Sequence, residues 1–146
     1  MLEDFSPAAL NTALQAYISG FPDMMVQGFV TLVMVALGAA VYTRLTPHNE
    51  MALIRAGNSA AALSFAAVIL GLAIPMAASL AASQSVPEVV LWGLTTLLLQ
   101  LLAFSIVDVL LRGLPQRIRE GEMAAAVLLA AVKLGAALVL GAAVSG

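Results

Sequence analysis

Residues 54–71, IRAGNSAAALSFAAVILG, recur 64 positions later as residues 118–135, IREGEMAAAVLLAAVKLG, with eleven identical residues in eighteen positions and no gap. Each copy begins with a short charged turn that contains a glycine and continues as an apolar, alanine-rich run. Chance alignment of alanine-rich sequence does not produce this many identities. The chain is therefore predicted to contain a tandem repeat whose unit is a helical hairpin.

The composition identifies lipid as the solvent of these hairpins. Of 146 residues, 62% are hydrophobic and 10% charged, and the mean hydropathy is +1.05. At about 1.5 Å of rise per residue, an apolar helix of about 20 residues crosses a hydrocarbon core of about 30 Å. Four runs have this length and lack the period-two alternation of strands: residues 24–42, 59–82, 89–111 and 123–145. We predict an all-α membrane protein with four transmembrane helices.

The repeat divides the membrane part into two hairpin units, residues 23–82 and 83–146. Because each unit crosses the membrane twice, both copies have the same orientation, and their symmetry axis runs along the membrane normal. A parallel repeat of this kind suits a pore, a packed four-helix scaffold or a homo-oligomer. It differs from the inverted repeat of many secondary transporters.

Residues 1–22 are predicted to form a separate segment. Ser6 and Pro7 are typical of the cap and first turn of a helix, while Gly20 and Pro22 predict its end. Apolar residues three and four positions apart give this short helix an amphipathic face. It is expected either to lie along the outer membrane surface or to pack on the bundle, with a frayed tail as the third alternative.

Arginine placement predicts the topology. Five of the basic residues occupy loops 43–57 and 112–121: Arg44, Arg55, Arg112, Arg117 and Arg119. Loops rich in Lys and Arg face the cytoplasm, so both termini are expected outside. These arginines would meet anionic lipid or a cytoplasmic or membrane protein partner. The net charge of −2 gives no indication of nucleic-acid binding.

Small residues indicate where helices meet. Ala67 and Gly71 lie four apart, as do their repeat equivalents Ala131 and Gly135. Because lipid provides no hydrophobic reward for helix association, close approach along such small-residue faces must supply the contacts. We expect the second and fourth spans to meet there, within one chain or between chains. Pro75 removes a backbone donor and predicts a bend in the second span.

Three polar residues lie inside the predicted spans: Asp108, Lys133 and Gln100. A charge at the centre of a lipid-exposed helix costs at least about 2.5 kcal/mol, so these side chains should face protein or water. Helical side chains lean toward the N-terminus of their helix, which brings Asp108 and Lys133 toward each other. They could form a proton or ion path. Alternatively, Lys133 bonds Gln100 and Asp108 pairs with Arg112.

Other polar positions favour structural roles. Asn58 and Glu122 follow the paired glycines, where they are expected to cap helices, or alternatively to ring a cytoplasmic mouth. His48 is the only histidine and the chain has no cysteine, so we predict no metal site and no cofactor. No catalytic signature is present, and an enzyme is not expected.

Several motifs resemble the bacterial YjfL-like family, a domain of unknown function. They are IRAGNSAAA at residues 54–62, GLAIP at 71–75, WG at 92–93 and QLLAF at 100–104. The resemblance covers about residue 24 to the end. It departs in the fourth span, where an Asn usual after the last Gly is missing and Lys133 is atypical. It implies four helices in an inner membrane and no established activity, although members have been suspected of forming channels or accompanying membrane stress systems.

Two functional hypotheses follow. The first is an oligomeric membrane scaffold or accessory subunit, related to the envelope or to stress, which the small number of intramembrane polar residues favours. The alternative is a channel or transporter subunit for protons or small cations, with a path along the buried polar residues. The sequence specifies neither the ion nor the number of protomers.

Overall fold

The computed structural model describes residues 6–46 and 49–146. In these ranges the chain forms six helices and no strand. In order they are α1 (Pro7–Leu45), α2 (Glu50–Arg55), α3 (Ser59–Ala82), α4 (Val86–Leu110), α5 (Gly113–Arg119) and α6 (Met123–Ser145). The expectations for His48 and for residues 1–5 of the N-terminal segment lie outside the described residues.

Four of these helices, α1, α3, α4 and α6, are long and apolar enough to cross a membrane. The all-α class and the four spanning helices are thereby confirmed. The bounds of α3 and α6 coincide with the predicted spans. Helix α4 starts one turn earlier than predicted because Val86 and Pro87 fit a first helical turn, where the missing proline N–H leaves no intrahelical bond unmade.

The prediction of a separate helix that ends before Gly20 was wrong. Ser6 caps the helix as expected, with its Oγ accepting from Ala9 N at 3.2 Å, but α1 then continues through Gly20 and Pro22 to Leu45. Pro22 removes one backbone hydrogen bond. Ending the helix would leave about four donors and four acceptors unpaired near lipid, which costs more than the single bond.

Helix α3 is the centre of the bundle and contacts every other helix; its contact with α6 is the most extensive. Gly71 of α3 is buried against Phe104 and Ala137, and a Cβ built on Gly71 would lie 2.6 Å from Phe104 Cζ. On α6, Gly141 approaches the α3 backbone, since its Cβ would lie 3.8 Å from the carbonyl oxygen of Ile74. The α3–α6 pair thus forms by close packing of small residues.

The predicted face of α6 does not take part in this contact within the chain. Ala131 and Gly135 are exposed, and nothing lies within 4 Å of a Cβ built on Gly135. Helix α6 instead turns Ala130, Lys133 and Ala137 inward. The physical reason is the ammonium of Lys133. Exposing this charge to lipid would cost more free energy than packing α6 through a different alanine-rich face.

The two arginine-bearing connections lie at the same end of the bundle, which we call the arginine end: helices α2 and α5 and the helix termini around them. Leu53 and Ile54 of the first connection pack with Leu114 and Ile118 of the second. The turn that joins α3 to α4 lies at the opposite end.

Helices α2 and α5 end in the same turn. Gly57 and Gly121 both have φ +86, a conformation that favours glycine. In each turn the backbone N–H of the residue after the glycine donates a hydrogen bond to the carbonyl oxygen five positions earlier. These bonds run from Asn58 N to Leu53 O at 3.0 Å and from Glu122 N to Arg117 O at 2.9 Å. These are Schellman motifs, which redirect the chain from each short helix into the next membrane-spanning helix.

Candidate functional site

An ion pair occupies the interior of the bundle near the arginine end. Lys133 of α6 is 0% exposed, and its Nζ lies 2.8 Å from Oδ1 of Asp108 on α4. The same Nζ donates to Asp108 Oδ2 at 3.1 Å. Of the alternatives left open by the sequence, the structure has the direct Asp108–Lys133 contact. The alternative pairing of Asp108 with Arg112 is absent from the described ion pairs.

Tyr42, in the last turns of α1, completes this polar group. Lys133 Nζ donates to the Tyr42 hydroxyl at 2.6 Å, and that hydroxyl lies 3.4 Å from Asp108 Oδ2, to which it donates. The ammonium is also 4.6 Å from the centre of the Tyr42 ring and 5.3 Å from that of Phe104. A buried ammonium is stabilised by such ring faces as well as by its carboxylate. We refer to Tyr42, Asp108 and Lys133 as the polar triad.

The sequence analysis missed Tyr42. A tyrosine at the end of a span is typical of an interfacial anchor, so its type and position carried no sign of an inward orientation. Only the contact of α1 with α4 directs its hydroxyl toward the other two residues.

Glu50, the first residue of α2, is a second carboxylate near the triad. Its Oε2 is buried and has no hydrogen-bond partner in the part of the chain that the structure describes. Burial raises the pKa of Glu50 from 4.5 to about 7; the Lys133 ammonium opposes this rise and the Asp108 carboxylate adds to it. Sequence analysis missed Glu50 because it lies in a loop, where a carboxylate is ordinarily solvated.

A cavity of about 350 Å³ connects these groups to the arginine end. Eight of its lining residues are polar or charged: Tyr42, Thr46, Glu50, Ser64, Ser105, Asp108, Arg112 and Arg119. Apolar residues from all six helices complete the wall. Because Tyr42 and Asp108 line the cavity, it reaches the polar triad from one end of the bundle. Arg44 and Arg55 are exposed and do not line it.

Gln100 lies two turns from Asp108 along α4, on the side away from the cavity. It is 0% exposed, and neither Nε2 nor Oε1 has a hydrogen-bond partner among the described residues. The alternative prediction, in which Gln100 bonds Lys133, is therefore wrong. The Oγ of Ser79 on α3 is also buried without a partner there. Between Gln100 and the triad lies an apolar layer that contains Phe104.

The two predicted caps differ in the structure. Asn58 caps α3 through its Oδ1, which accepts from Ala61 N at 3.0 Å, and its Nδ2 donates to the carbonyls of Ile118 and Arg119 in α5. Glu122 has the backbone position of a cap but makes no side-chain cap bond. Its carboxylate pairs with Arg117, whose Nε donates to Oε2 at 2.6 Å. The guanidinium lowers the pKa of Glu122, and the same pair raises that of Arg117.

The chemistry available at this site is proton exchange and binding of small charged groups. Within residues 6–46 and 49–146, no group of three or more His, Cys, Asp or Glu side chains could hold a metal ion. The polar triad and Glu50 combine one ammonium, one phenol and two carboxyl groups, which share a low-dielectric space. One cation cannot neutralise two ionised carboxylates, so a proton or a further cation is the natural complement.

Comparison with known proteins identifies the kind of chain. The profile of the family described as Domain of Unknown Function (DUF350) matches residues 16–144. The inner membrane protein YjfL of Escherichia coli strain K12 is 35% identical over 97 residues, which cover 66% of this chain and 74% of that protein. YjfL of Escherichia coli O157:H7 matches with the same identity and coverage. No solved structure matches the chain.

Proposed function

The chain belongs to the DUF350 family, and from that premise we propose that this integral inner membrane protein is a subunit of a pathway for protons or small cations. One observation carries the proposal. Lys133, on a membrane-spanning helix, is wholly buried and bound to Asp108 and Tyr42 at the inner end of a cavity. Ionisable residues inside membranes are rare and mark ion or proton paths.

The proposed relay lies on the cavity side. Glu50 and Asp108 line the cavity, and Asp108, Tyr42 and Lys133 are joined by hydrogen bonds. Carboxylates accept protons, whereas an ammonium and a phenol hydroxyl release them. A proton that enters from the arginine end would be taken up by the Glu50 or Asp108 carboxylate. Onward transfer would require Lys133 first to release one of its own protons, because an ammonium cannot accept one.

The continuation of the path is proposed at Gln100. Its two unpartnered amide atoms, and the unpartnered Oγ of Ser79, are buried polar groups that water would satisfy. Phe104 and its apolar neighbours separate Gln100 from the triad. Conduction would require this layer to open or to hydrate, as in pores that gate by dewetting.

Proton flux into liposomes tests this proposal. Full-length protein is reconstituted with a trapped pH-sensitive dye, and a potassium diffusion potential drives protons inward. We expect flux in the wild type and its loss in Lys133→Leu and Asp108→Asn, provided that both variants keep wild-type helicity and elution volume. Glu122→Gln is the matched control, since it removes a charge at the same end but outside the cavity. Vesicles of the folded wild type that stay tight at every pH and with every cation reject the pathway.

A second candidate, an oligomeric scaffold or accessory subunit, is favoured by α1. This helix of 39 residues is about 58 Å long, nearly twice the hydrocarbon thickness. In its first half the large apolar side chains, among them Leu14 and Ile18, are exposed. Such a surface is suited to packing against another copy or another membrane protein. The predicted cytoplasmic location of the arginine end is compatible with both candidate functions and does not distinguish them.

The scaffold candidate has its own test. The mass of the detergent-solubilised chain, measured by light scattering with the detergent contribution subtracted, should correspond to more than one copy. Leu14→Gln/Ile18→Gln should lower this mass toward one copy, whereas Leu98→Gln/Leu102→Gln, exposed on α4, should not. An oligomer together with tight vesicles selects the scaffold. A single copy for the wild type contradicts it.

A further inference from the structure

The wall of the cavity at the arginine end is also part of the lipid-facing surface. Leu45, at the end of α1, and Val109, near the end of α4, both line the cavity, and they are 62% and 55% exposed. In a bilayer, the exposed apolar side chains of membrane-spanning helices face acyl chains. The cavity therefore borders lipid at the ends of two spanning helices, which is the depth of the headgroups.

Charges of both signs line the same space. Arg112 and Arg119, at either end of α5, line this space, and no described carboxylate lies within 4 Å of either guanidinium group. Arg119 also donates to Gln116 Oε1 at 3.2 Å and keeps further N–H donors for a ligand. Glu50 contributes a buried carboxylate oxygen without a described partner. Arginine binds phosphate through paired N–H donors, and a carboxylate binds an ammonium through charge-assisted hydrogen bonds.

We propose that this cavity binds the headgroup of a phosphatidylethanolamine-type lipid, with the phosphate at Arg112 and Arg119, the primary ammonium at Glu50, and the acyl chains beyond Leu45 and Val109. The volume of about 350 Å³ exceeds the roughly 30 Å³ share of one water by about tenfold, enough for a headgroup. The proposal does not depend on ion conduction, because a bound lipid would serve a scaffold equally.

The carboxylates favour this lipid over others in the same leaflet. An anionic headgroup such as phosphatidylglycerol would satisfy the arginines and has hydroxyl donors, but it would leave Glu50 without a cation, close to a second carboxylate, Asp108. A choline headgroup carries a positive charge but no N–H donor. Free phosphate has no chains to lie against Leu45 and Val109. Only a phosphate joined to a primary amine and to acyl chains complements all three parts of the cavity.

Native mass spectrometry of the full-length chain in detergent tests the proposal. Dioleoyl phosphatidylethanolamine, phosphatidylcholine and phosphatidylglycerol are titrated separately at matched concentrations. We expect one phosphatidylethanolamine per chain to be retained about tenfold more strongly than either other lipid, the effect of one charge-assisted hydrogen bond. Arg112→Ala/Arg119→Ala should weaken the binding of all three lipids. Glu50→Gln should abolish the preference between the ethanolamine and choline lipids while leaving both bound.

The matched control removes the same charge elsewhere. Arg44→Ala/Arg55→Ala also deletes two exposed arginines, which do not line the cavity, and should retain the wild-type preference. Helicity and elution volume are compared with wild type for every variant. The proposal is overturned by equal retention of the three lipids in the wild type, by a preference for phosphatidylglycerol, or by a preference that persists in Glu50→Gln.

Discussion

At the scale of single residues, the polar triad explains how an ammonium is kept inside the bundle. Lys133 has a carboxylate on one side, a phenol hydroxyl at 2.6 Å and the faces of two aromatic rings around it. None of these partners alone would offset the removal of the charge from water. Asp108 also lines the cavity, and its side chain is 21% exposed, so the carboxylate is not sealed from the cavity.

Removing the ammonium should destabilise the bundle through the carboxylate that remains. Lys133→Leu leaves Asp108 facing Tyr42 without its cation, and we expect a loss of about 2–4 kcal/mol, less than for a fully sealed pair because Asp108 reaches the cavity. The measurement is unfolding in mixed micelles followed by circular dichroism. In Asp108→Asn/Lys133→Leu, the loss should be smaller than the sum of the two single losses. Additive losses would show that the two side chains do not interact.

Glu50 should make stability depend on pH near neutrality. Its pKa in the folded chain, about 7, lies above the ordinary value of 4.5, so the folded state holds the proton more tightly. The contribution of Glu50 to the free energy of unfolding is therefore fully present below about pH 4.5 and is lost as the pH rises through 7. Relative to Glu50→Gln, the wild type should lose about 2 kcal/mol between about pH 5 and pH 8.

Glu122, a carboxylate whose pKa is lowered rather than raised, provides the control. Arg117 lowers the pKa of Glu122, so the stabilisation by Glu122 is present above its ordinary value and is lost only in more acidic solution. Comparison of Glu122→Gln with wild type should give a flat difference between about pH 5 and pH 8. A flat difference for Glu50→Gln over the same interval would contradict the raised pKa.

At the scale of helices, α3 and α6 have related sequences and different rotations. Gly71 of α3 faces the core, whereas its counterpart Gly135 of α6 faces outward. Lys133 is buried, and its counterpart Ile69 is exposed. Alanine-rich helices pack almost equally well on several faces, so one charged residue is sufficient to determine which face is turned inward.

The two glycines should respond oppositely to alanine. In Gly71→Ala the new Cβ would lie 2.6 Å from Phe104 Cζ, and the Phe104 ring also faces Lys133, so the chain should lose about 1–3 kcal/mol. In Gly135→Ala nothing lies within 4 Å, and better helix propensity should add up to about 1 kcal/mol. Unfolding in micelles measures both. Destabilisation by Gly135→Ala would show that this face packs on another chain.

At the scale of the molecule, both arginine-bearing connections meet at one end and the turn at Gln84 lies at the other. This arrangement predicts which positions are accessible from each side of the membrane. The chain has no cysteine, so single cysteines can be introduced without removing any other. The exposed residues Ala52, Gln116 and Gln84 provide one position each on α2, on α5 and in the α3–α4 turn.

A membrane-impermeant maleimide should separate these positions. We expect Ala52→Cys and Gln116→Cys to react only from the cytoplasmic side, by the positive-inside rule, and Gln84→Cys only from the opposite side. Spheroplasts and inverted vesicles provide the two accessible faces. Reaction of Ala52→Cys and Gln116→Cys from different sides would contradict the arrangement of the bundle. Their joint reaction from outside would contradict only the orientation.

Much of the fold could be predicted because the relevant signals are local. The bounds of α3 and α6, the Ser6 and Asn58 caps and the turns at Gly57 and Gly121 follow from residues adjacent in sequence. The site was predicted only in part. Asp108 and Lys133 stood out as charges in apolar runs, while Tyr42 and Glu50 did not, because nothing in their own segments indicates burial.

The sequence by itself determined the medium, the four spanning helices and the two arginine-bearing turns, since hydropathy and turn chemistry act over a few neighbouring residues. The tertiary structure alone decided the inward rotation of Lys133, the continuity of α1 through Pro22 and the convergence of Tyr42 and Glu50 on one cavity. These features depend on contacts between helices whose faces are nearly equal in polarity. Packing between distant segments, rather than the pattern within any one of them, selects among such faces.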